Sequence, residues 1–542
     1  MRAAEHALRI LDRCGVEYLF GIPGGTVNAF YDALLDVPGL TPVVARHEAT
    51  AAYMAAAYAK HGGGLGVAIA SSGPGSTNLI TGVASAMRDG LPLLVLTGQI
   101  PAPRMGFGGA QEASPWTMDM VDAFRPFTKR SVLVDRPELV GPSVIQAIRL
   151  ALTAPRGPVH LSIPVDVQLA DVGEPPLPAP PQIWESGGLE AAELAWLAHF
   201  LDSSHGVIFC GAGVRRAGAA RKLLALAEAI GWPVVTSPAA KGSFPENHPL
   251  GMGIFGLAGN GAARTAIAGA RRLLVLGSSL GELATAAWSD KLVAGKDVVQ
   301  VDLDPAMIGR HYPVTRGYVA DVGAVLRQLA DAAPRRAWEP PPKAPDLAEG
   351  PLPQHLLALA ACVPDETCLV SDIGEHMTWA LKHWQTRAVD GFDIAINFGG
   401  MGSGIAGAIG LKLAQPARPV VCLTGDGCFA MHGSEILTAQ QYGLPIAFVV
   451  VNNASHGMVH WGHQLQYGRA PSHFTYPRPD LEAVARAYGL PAIRVESPGA
   501  WADLDLPALL TGRGPVLIEV PDDSQATPPM ADRVRFLTGP LK

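Results

Sequence analysis

Cysteine is scarce in this 542-residue chain: six residues, at positions 14, 210, 362, 368, 422 and 428. Only Cys362/Cys368 and Cys422/Cys428 fall close together, and neither pair has CxxC spacing. That excludes a disulfide framework or a cysteine zinc site and fits a reducing cytoplasm. Charge is sparse too, at 16% of residues, and no long basic run stands against the net charge of −7. Nucleic acid and anionic membrane surfaces are therefore not expected partners. The first residues, MRAAEHALRILDRCG, interleave charges with apolar residues at helical spacing and lack the apolar core of a signal peptide. Gly62–Met87 and Ile394–Leu411 carry no charged residue, but SSGPGSTN in the first and six glycines in the second rule out a spanning helix. Uncharged and glycine-rich, both read as backbone packed closely around something buried.

Apolar residues are plentiful, at 48%, which excludes disorder and provides for large cores. The length suggests about three domains. Two proline-rich segments, 171–185 and 334–353, read as extended linkers and divide the chain into 1–170, 186–333 and 354–542. Each part alternates helix-like stretches with short runs that are apolar on every residue, such as LPLLVLTG (91–98), RRLLVLG (271–277) and PIAFVVVNN (445–453). Such runs suit parallel strands buried on both faces. The expected fold is α/β: three tandem doubly wound parallel-sheet domains, with ligands beyond the carboxyl ends of the strands.

The sharpest local signal falls there. A buried strand ends in Gly425-Asp426-Gly427 and a second ends in Asn452-Asn453, with the 24 residues 428–451 between them. Adjacent parallel strands would bring the Asp426 carboxylate and an asparagine amide oxygen to one sheet edge. A hard divalent cation takes such ligands, and magnesium commonly shares its shell with phosphates. The glycines let backbone approach a diphosphate.

GDG, two dozen residues and NN together resemble the cofactor signature of thiamine-diphosphate enzymes. The likeness runs through most of the chain and is closest to the large subunit of acetolactate (acetohydroxyacid) synthase. It is carried by FGIPGG (20–25), ARHEATAAYMAAAYAK (45–60), SSGPGSTNLITGVASAM (71–87), GAQE (109–112), GPVHLSIPVDVQ (157–168) and MGSGIAGAIG (401–410), and is looser in the middle domain. The resemblance implies a pyrimidine-binding first domain and a diphosphate-binding third domain. It implies thiamine diphosphate with Mg2+ held by Asp426, Asn453 and the carbonyl of Ser455. Cofactor contacts are implied at Gly25, Glu48, Pro74, Met401, Gly425, Gly427, Gly457 and Met458 as well. In that family the glutamate matching Glu48 hydrogen-bonds the aminopyrimidine, and an apolar residue matching Met401 supports the bent cofactor. Gln111 and Lys129 match polar residues of the substrate pocket, whereas His47 reads as structural.

Three departures from the family pattern matter. The GARFDDR-like flavin segment is Gly277-Ser278-Ser279-Leu280-Gly281-Glu282 here, without the arginine or paired aspartates, which argues against FAD. The family's phenylalanine in FQE is Ala110, and an acceptor-pocket tryptophan is Gly462, with Trp461 one position early. GAGVRRAG (211–218) breaks the GxGxxG fingerprint at Arg216 and reads as a strand-to-helix turn. The expected activity is decarboxylation of a pyruvate-like 2-keto acid to an enamine that adds to a second carbonyl. Simple decarboxylation to an aldehyde is the alternative, although the adjacent His-His pair of pyruvate decarboxylases is missing. Family sites lie between subunits, so a cytoplasmic homodimer or homotetramer acting on small molecules is expected.

Overall fold

The computed structural model describes residues 1–183, 187–343, 346–524 and 526–538. Residues 184–186 and 344–345, in the two expected linkers and at the start of the expected central domain, lie outside this set, as do 525 and the last four residues of the chain. Three all-parallel six-stranded sheets form, each flanked by helices. The first orders its strands Thr41–Val44, Tyr18–Gly21, Gly66–Ala70, Leu93–Gln99, Pro158–Pro164, Arg130–Leu133. The third runs Phe392–Ile394, Cys368–Ser371, Val420–Gly425, Ile446–Asn452, Val516–Pro521, Ala492–Arg494, which is the same order counted from its own first strand. The middle sheet differs, running Arg316–Val319, Asp297–Asp302, Arg272–Leu276, Gly206–Cys210, Val234–Thr236, Gly251–Ile254. Central strands are buried on every residue, as Leu93–Gln99 and Ile446–Asn452 show, because helices cover both faces of a parallel sheet.

The two charge-free stretches supply helices that pack on either side of helix Glu48–Tyr58, the second of them across the boundary between the first and third domains. Helix Glu48–Tyr58 is buried at every position after Glu48, and helix Ser403–Ala414 at every position through Leu413. A helix apolar all round has to lie inside. Alanine and glycine let the two pack almost backbone to backbone: a Cβ at Gly410 would stand 2.2 Å from the Met54 carbonyl oxygen. On its other side, the Glu48 helix meets helix Pro74–Asp89, where a Cβ at Gly82 would fall 2.5 Å from that of Ala52.

Polar ties join all three domains. Asp393 accepts from Lys60 Nζ at 2.5 Å, His61 Nε2 at 3.0 Å and Arg215 Nη1 at 3.1 Å. Burial alone would raise the Asp393 carboxyl, but Lys60, His61 and Arg215 hold it well below the ordinary carboxylate range. Nearby, Asn397 Nδ2 donates to Asp89 Oδ1 at 2.7 Å, and Arg216 Nη1 donates to the Asp89 carbonyl at 3.2 Å. Removing one member of a buried ion network leaves the others unpaired. Asp393→Ala is therefore expected to cost about 3–5 kcal/mol, read as a lowered denaturation midpoint. Lys60→Met with Asp393→Leu should lose clearly less than the sum of the two single changes.

Candidate active site

Sheets of this strand order place ligands where the strand order reverses. In the third sheet that point lies between Cys368–Ser371 and Val420–Gly425. A cavity of about 200 Å³ opens there, lined by Ile373–His376, Gly399, Met401, Gly425–Cys428, Asn453 and Ser455–Val459. Asp426, 2% exposed, accepts from Gly427 N through Oδ1 at 2.8 Å and from Ala454 N through Oδ2 at 2.6 Å. The second bond needs Ala454 at φ +54°, a left-handed conformation that costs an alanine of order 1 kcal/mol or more. Asn453 Oδ1 accepts from Ser455 N at 3.1 Å, and Asn453 Nδ2 donates to Glu375 Oε2 at 3.2 Å. Glycine at 457 leaves room for the Glu375 carboxylate, since a Cβ there would lie 2.0 Å from Glu375 Oε2 and displace it.

Electrostatics at this point call for a cation. Burial pushes Glu375 up to about 7, with Asp522 and Asp426 adding repulsion. Burial also raises Asp426. Crowded carboxylates and an amide oxygen form a hard-oxygen donor set that suits Mg2+. Beyond them the cavity is built for an anion. His376, held neutral by burial with its pKa lowered to about 4, has an Nε2 with no hydrogen-bond partner among the described residues. Helix Gly457–Tyr467 begins at the cavity wall, and its first amides are free of the intrahelical ladder. Met401 also lines the space, on a turn fixed by Asp372, whose Oδ1 accepts from Gly402 N at 2.9 Å and whose Oδ2 accepts from Thr424 Oγ1 at 3.0 Å. The residues present thus fit a metal-bound diphosphate. Glu375, His376 and Asp372 were not among the residues read from sequence. Their signal was the strand TCLVSD, whose carboxyl end lies beside GDG.

The remaining expected residues gather at the corresponding place in the first sheet. Glu48, half-buried, opens its helix, and its Oε2 accepts from Asn78 Nδ2 at 2.9 Å. A Cβ at Gly75 would stand 3.2 Å from Glu48 Oε1, which puts Glu48 beside the Pro74 turn. Gly25 follows Gly24, which abuts Ser71. Gln111, at φ +60°, accepts through its carbonyl from Ser72 Oγ at 2.7 Å. Lys129 is not part of this group. Its Nζ donates to Leu150 O at 2.6 Å and Thr153 O at 2.7 Å, at the carbonyl end of helix Val140–Leu152, where a cation satisfies orphan acceptors. Lys129 faces a larger cavity of about 1060 Å³ beside the middle sheet, walled in part by Gly277–Ser279 and Gly281–Ala284. Gly462 lies beside Met530: a Cβ there would stand 3.4 Å from the Met530 methyl, an ordinary contact.

Models of the thiamine pyrophosphate enzyme match three stretches: the N-terminal TPP binding domain over residues 1–122, the central domain over 195–329 and the C-terminal TPP binding domain over 372–520. This chain is a thiamine-diphosphate enzyme close to acetolactate synthase. It is 31% identical to a probable acetolactate synthase large subunit of Methanocaldococcus jannaschii, over 100% of this chain and 96% of that one. It is also 31% identical to the acetolactate synthase isozyme 1 large subunit of Escherichia coli K12, over 96% and 94%. Among solved structures it resembles a putative thiamin diphosphate-dependent enzyme from Mycobacterium smegmatis, with TM-score 0.81, 26% identity and coverage of 97% of this chain and 100% of that one. Asp426→Ala is expected to abolish magnesium-dependent thiamine diphosphate binding while the fold survives. Titration calorimetry with and without Mg2+ checks this, and unchanged affinity would remove Asp426 from the metal site.

Proposed function

We propose that this thiamine-diphosphate enzyme removes carbon dioxide from a pyruvate-like 2-keto acid and joins the remaining acyl carbon to a second carbonyl. The observation that carries the reading is the pair of half-sites at equivalent points of two sheets with one strand order, one half fitted to a metal diphosphate and the other presenting Glu48. When bound, thiamine diphosphate supplies the nucleophilic carbon and the electron sink for decarboxylation. Asp426, Asn453 and the Ser455 carbonyl would hold Mg2+. Met401 would support the cofactor from its fixed turn. Glu48 would hydrogen-bond the aminopyrimidine and hold the proton whose movement activates the cofactor. Gln111 would border the substrate.

Each site is completed by a second copy of the chain. In support, among the described residues the Asp426 cavity is lined by residues within 352–459 and by none from the first sheet's domain. Its 200 Å³ is also smaller than the about 300–1,000 Å³ of pockets that enclose a drug-sized ligand. Large apolar residues lie exposed near both halves: Phe107, Trp116 and Met118 around Gln111, and Met431 and Val459 by the metal site. An apolar surface of this kind suits a copy of the same chain.

We read the Gly277–Glu282 wall of the larger cavity as arguing against flavin: it offers no arginine, and its one carboxylate, Glu282, is paired with Arg533 of helix Ala531–Thr538, while Arg88, Arg156, Arg216 and Arg310 lie on other walls. Ala110 and Gly462 withdraw two aromatic walls from the acceptor side, although Met530 takes up space beside Gly462.

Three outcomes are expected. Incubation with pyruvate should yield acetolactate or acetoin, whereas acetaldehyde alone would mean decarboxylation without ligation. Glu48→Gln should slow turnover by roughly 10²–10⁴-fold, the scale of lost acid–base assistance, with proton exchange at cofactor C2 slowed alongside. The purified protein should be colourless; a stoichiometric yellow flavin retained through gel filtration would show that other residues build that site.

A further inference from the structure

The turn that presents Glu48 is held by the third domain. Arg46 N and His47 N both donate to Oε1 of Glu435, at 2.7 and 3.0 Å. The Thr50 hydroxyl lies 2.5 Å from the same oxygen, and Thr438 Oγ1 donates to Oε2 at 2.9 Å. Glu435 is fully buried. The contacts continue on both sides of it. Tyr442 Oη accepts from Val44 N at 2.9 Å and donates to Pro42 O at 2.7 Å, and Arg46 Nη2 donates to Gln441 Oε1 at 2.7 Å.

These clamps sit on one continuous stretch of chain. Helix Asp426–His432 opens with the residue at the metal site, a 3₁₀ turn at Gly433–Glu435 follows directly, and helix Ile436–Gln441 completes the stretch. His432, the last residue of the first helix, also meets His47 edge-on, with ring centroids 5.3 Å apart. Within its own domain, the Glu48 carboxylate receives only the Asn78 amide among the hydrogen bonds described. Its direction therefore depends on where the Arg46–His47 backbone is pinned.

We propose that Glu435 is a positioning residue for Glu48, through which the segment bearing Asp426 fixes the pyrimidine-side carboxylate that the same chain contributes. The inference rests on the reading of Glu48 given above. What counts is the reach of an acceptor oxygen to two backbone amides, not the negative charge. Two near-isosteric changes separate these properties. Glu435→Gln keeps an acceptor at the same distance, whereas Glu435→Asp keeps the charge and withdraws the oxygens by one methylene.

The test is proton–deuterium exchange at cofactor C2 in the full-length protein loaded with thiamine diphosphate and Mg2+, with cofactor affinity measured by calorimetry. Glu435→Asp is expected to slow exchange by about 10–100-fold, the scale of a reacting group misplaced by about 1 Å, with affinity altered less than about threefold. Glu435→Gln should stay within about threefold of wild type. Equal exchange rates in the two variants would overturn the proposal, and so would a loss of affinity in Glu435→Asp that matches its loss of exchange. Glu48→Gln, measured in parallel, separates the two ideas. Wild-type exchange in that variant removes the role of Glu48 and this inference with it, whereas slowed exchange there with normal exchange in Glu435→Asp rejects Glu435 alone.

Discussion

The buried Asp393 carboxylate ties all three domains together through charge. Lys60 and His61 reach it from the first domain and Arg215 from the second, while Asp393 itself lies within the strand Phe392–Ile394 of the third. Taking these charges out of water is costly, so the cluster is stable only while every member is in place. It acts less as a source of net stability than as a registration mark. A displaced ion network would leave its buried charges unpaired. Asp89, with Asn397 and Arg216 on it, repeats the arrangement nearby, since Arg216 follows Arg215 and Asn397 lies four residues after Asp393.

With the domains registered, the near-identity of the first and third sheets acquires a chemical meaning. Both bring two loops together at the point where their strand order reverses. Chemistry then divides between them according to loop composition. Third-domain loops carry Asp426, Asn453 and Glu375 and answer to a cation and an anion. First-domain loops carry Glu48, Pro74 and Gln111, few charges, and exposed apolar neighbours. The all-apolar helices between the two sheets fix their spacing through backbone contact, which admits little adjustment.

Much of this was legible in the residues. Continuous apolar runs gave the parallel strands, and the two charge-free stretches became the buried helices around Glu48. GDG and NN mark strand ends in register, because Gly425 pairs with Val451 and so sets Asp426 beside Asn452 and Asn453. Other features had no local signature. Glu375 and His376 follow a strand that looks like any other, and their importance comes from a neighbouring strand nearly fifty residues later. Lys129 matched a pocket residue by alignment, but helix carbonyls take its ammonium. Nothing near Gly462 announces that Met530, far along the chain, lies against it.

The pairing of the Glu48 helix with the Ser403 helix also bears on how the protein is made. The partners lie roughly 350 residues apart, and synthesis at about 5–20 residues per second leaves the first waiting roughly 20–70 seconds for the second. Throughout that interval the side of the Glu48 helix that meets the Ser403 helix, with Met54 and Ala57 on it, waits without its partner. Contacts this distant also form late, after the loop-closure entropy of the intervening chain has been met. The first domain therefore emerges from the ribosome as a body with one open face. Chaperone occupancy during translation, and aggregation when synthesis stalls before the third domain, are the vulnerabilities that come with building a rigid active-site frame from the two ends of one chain.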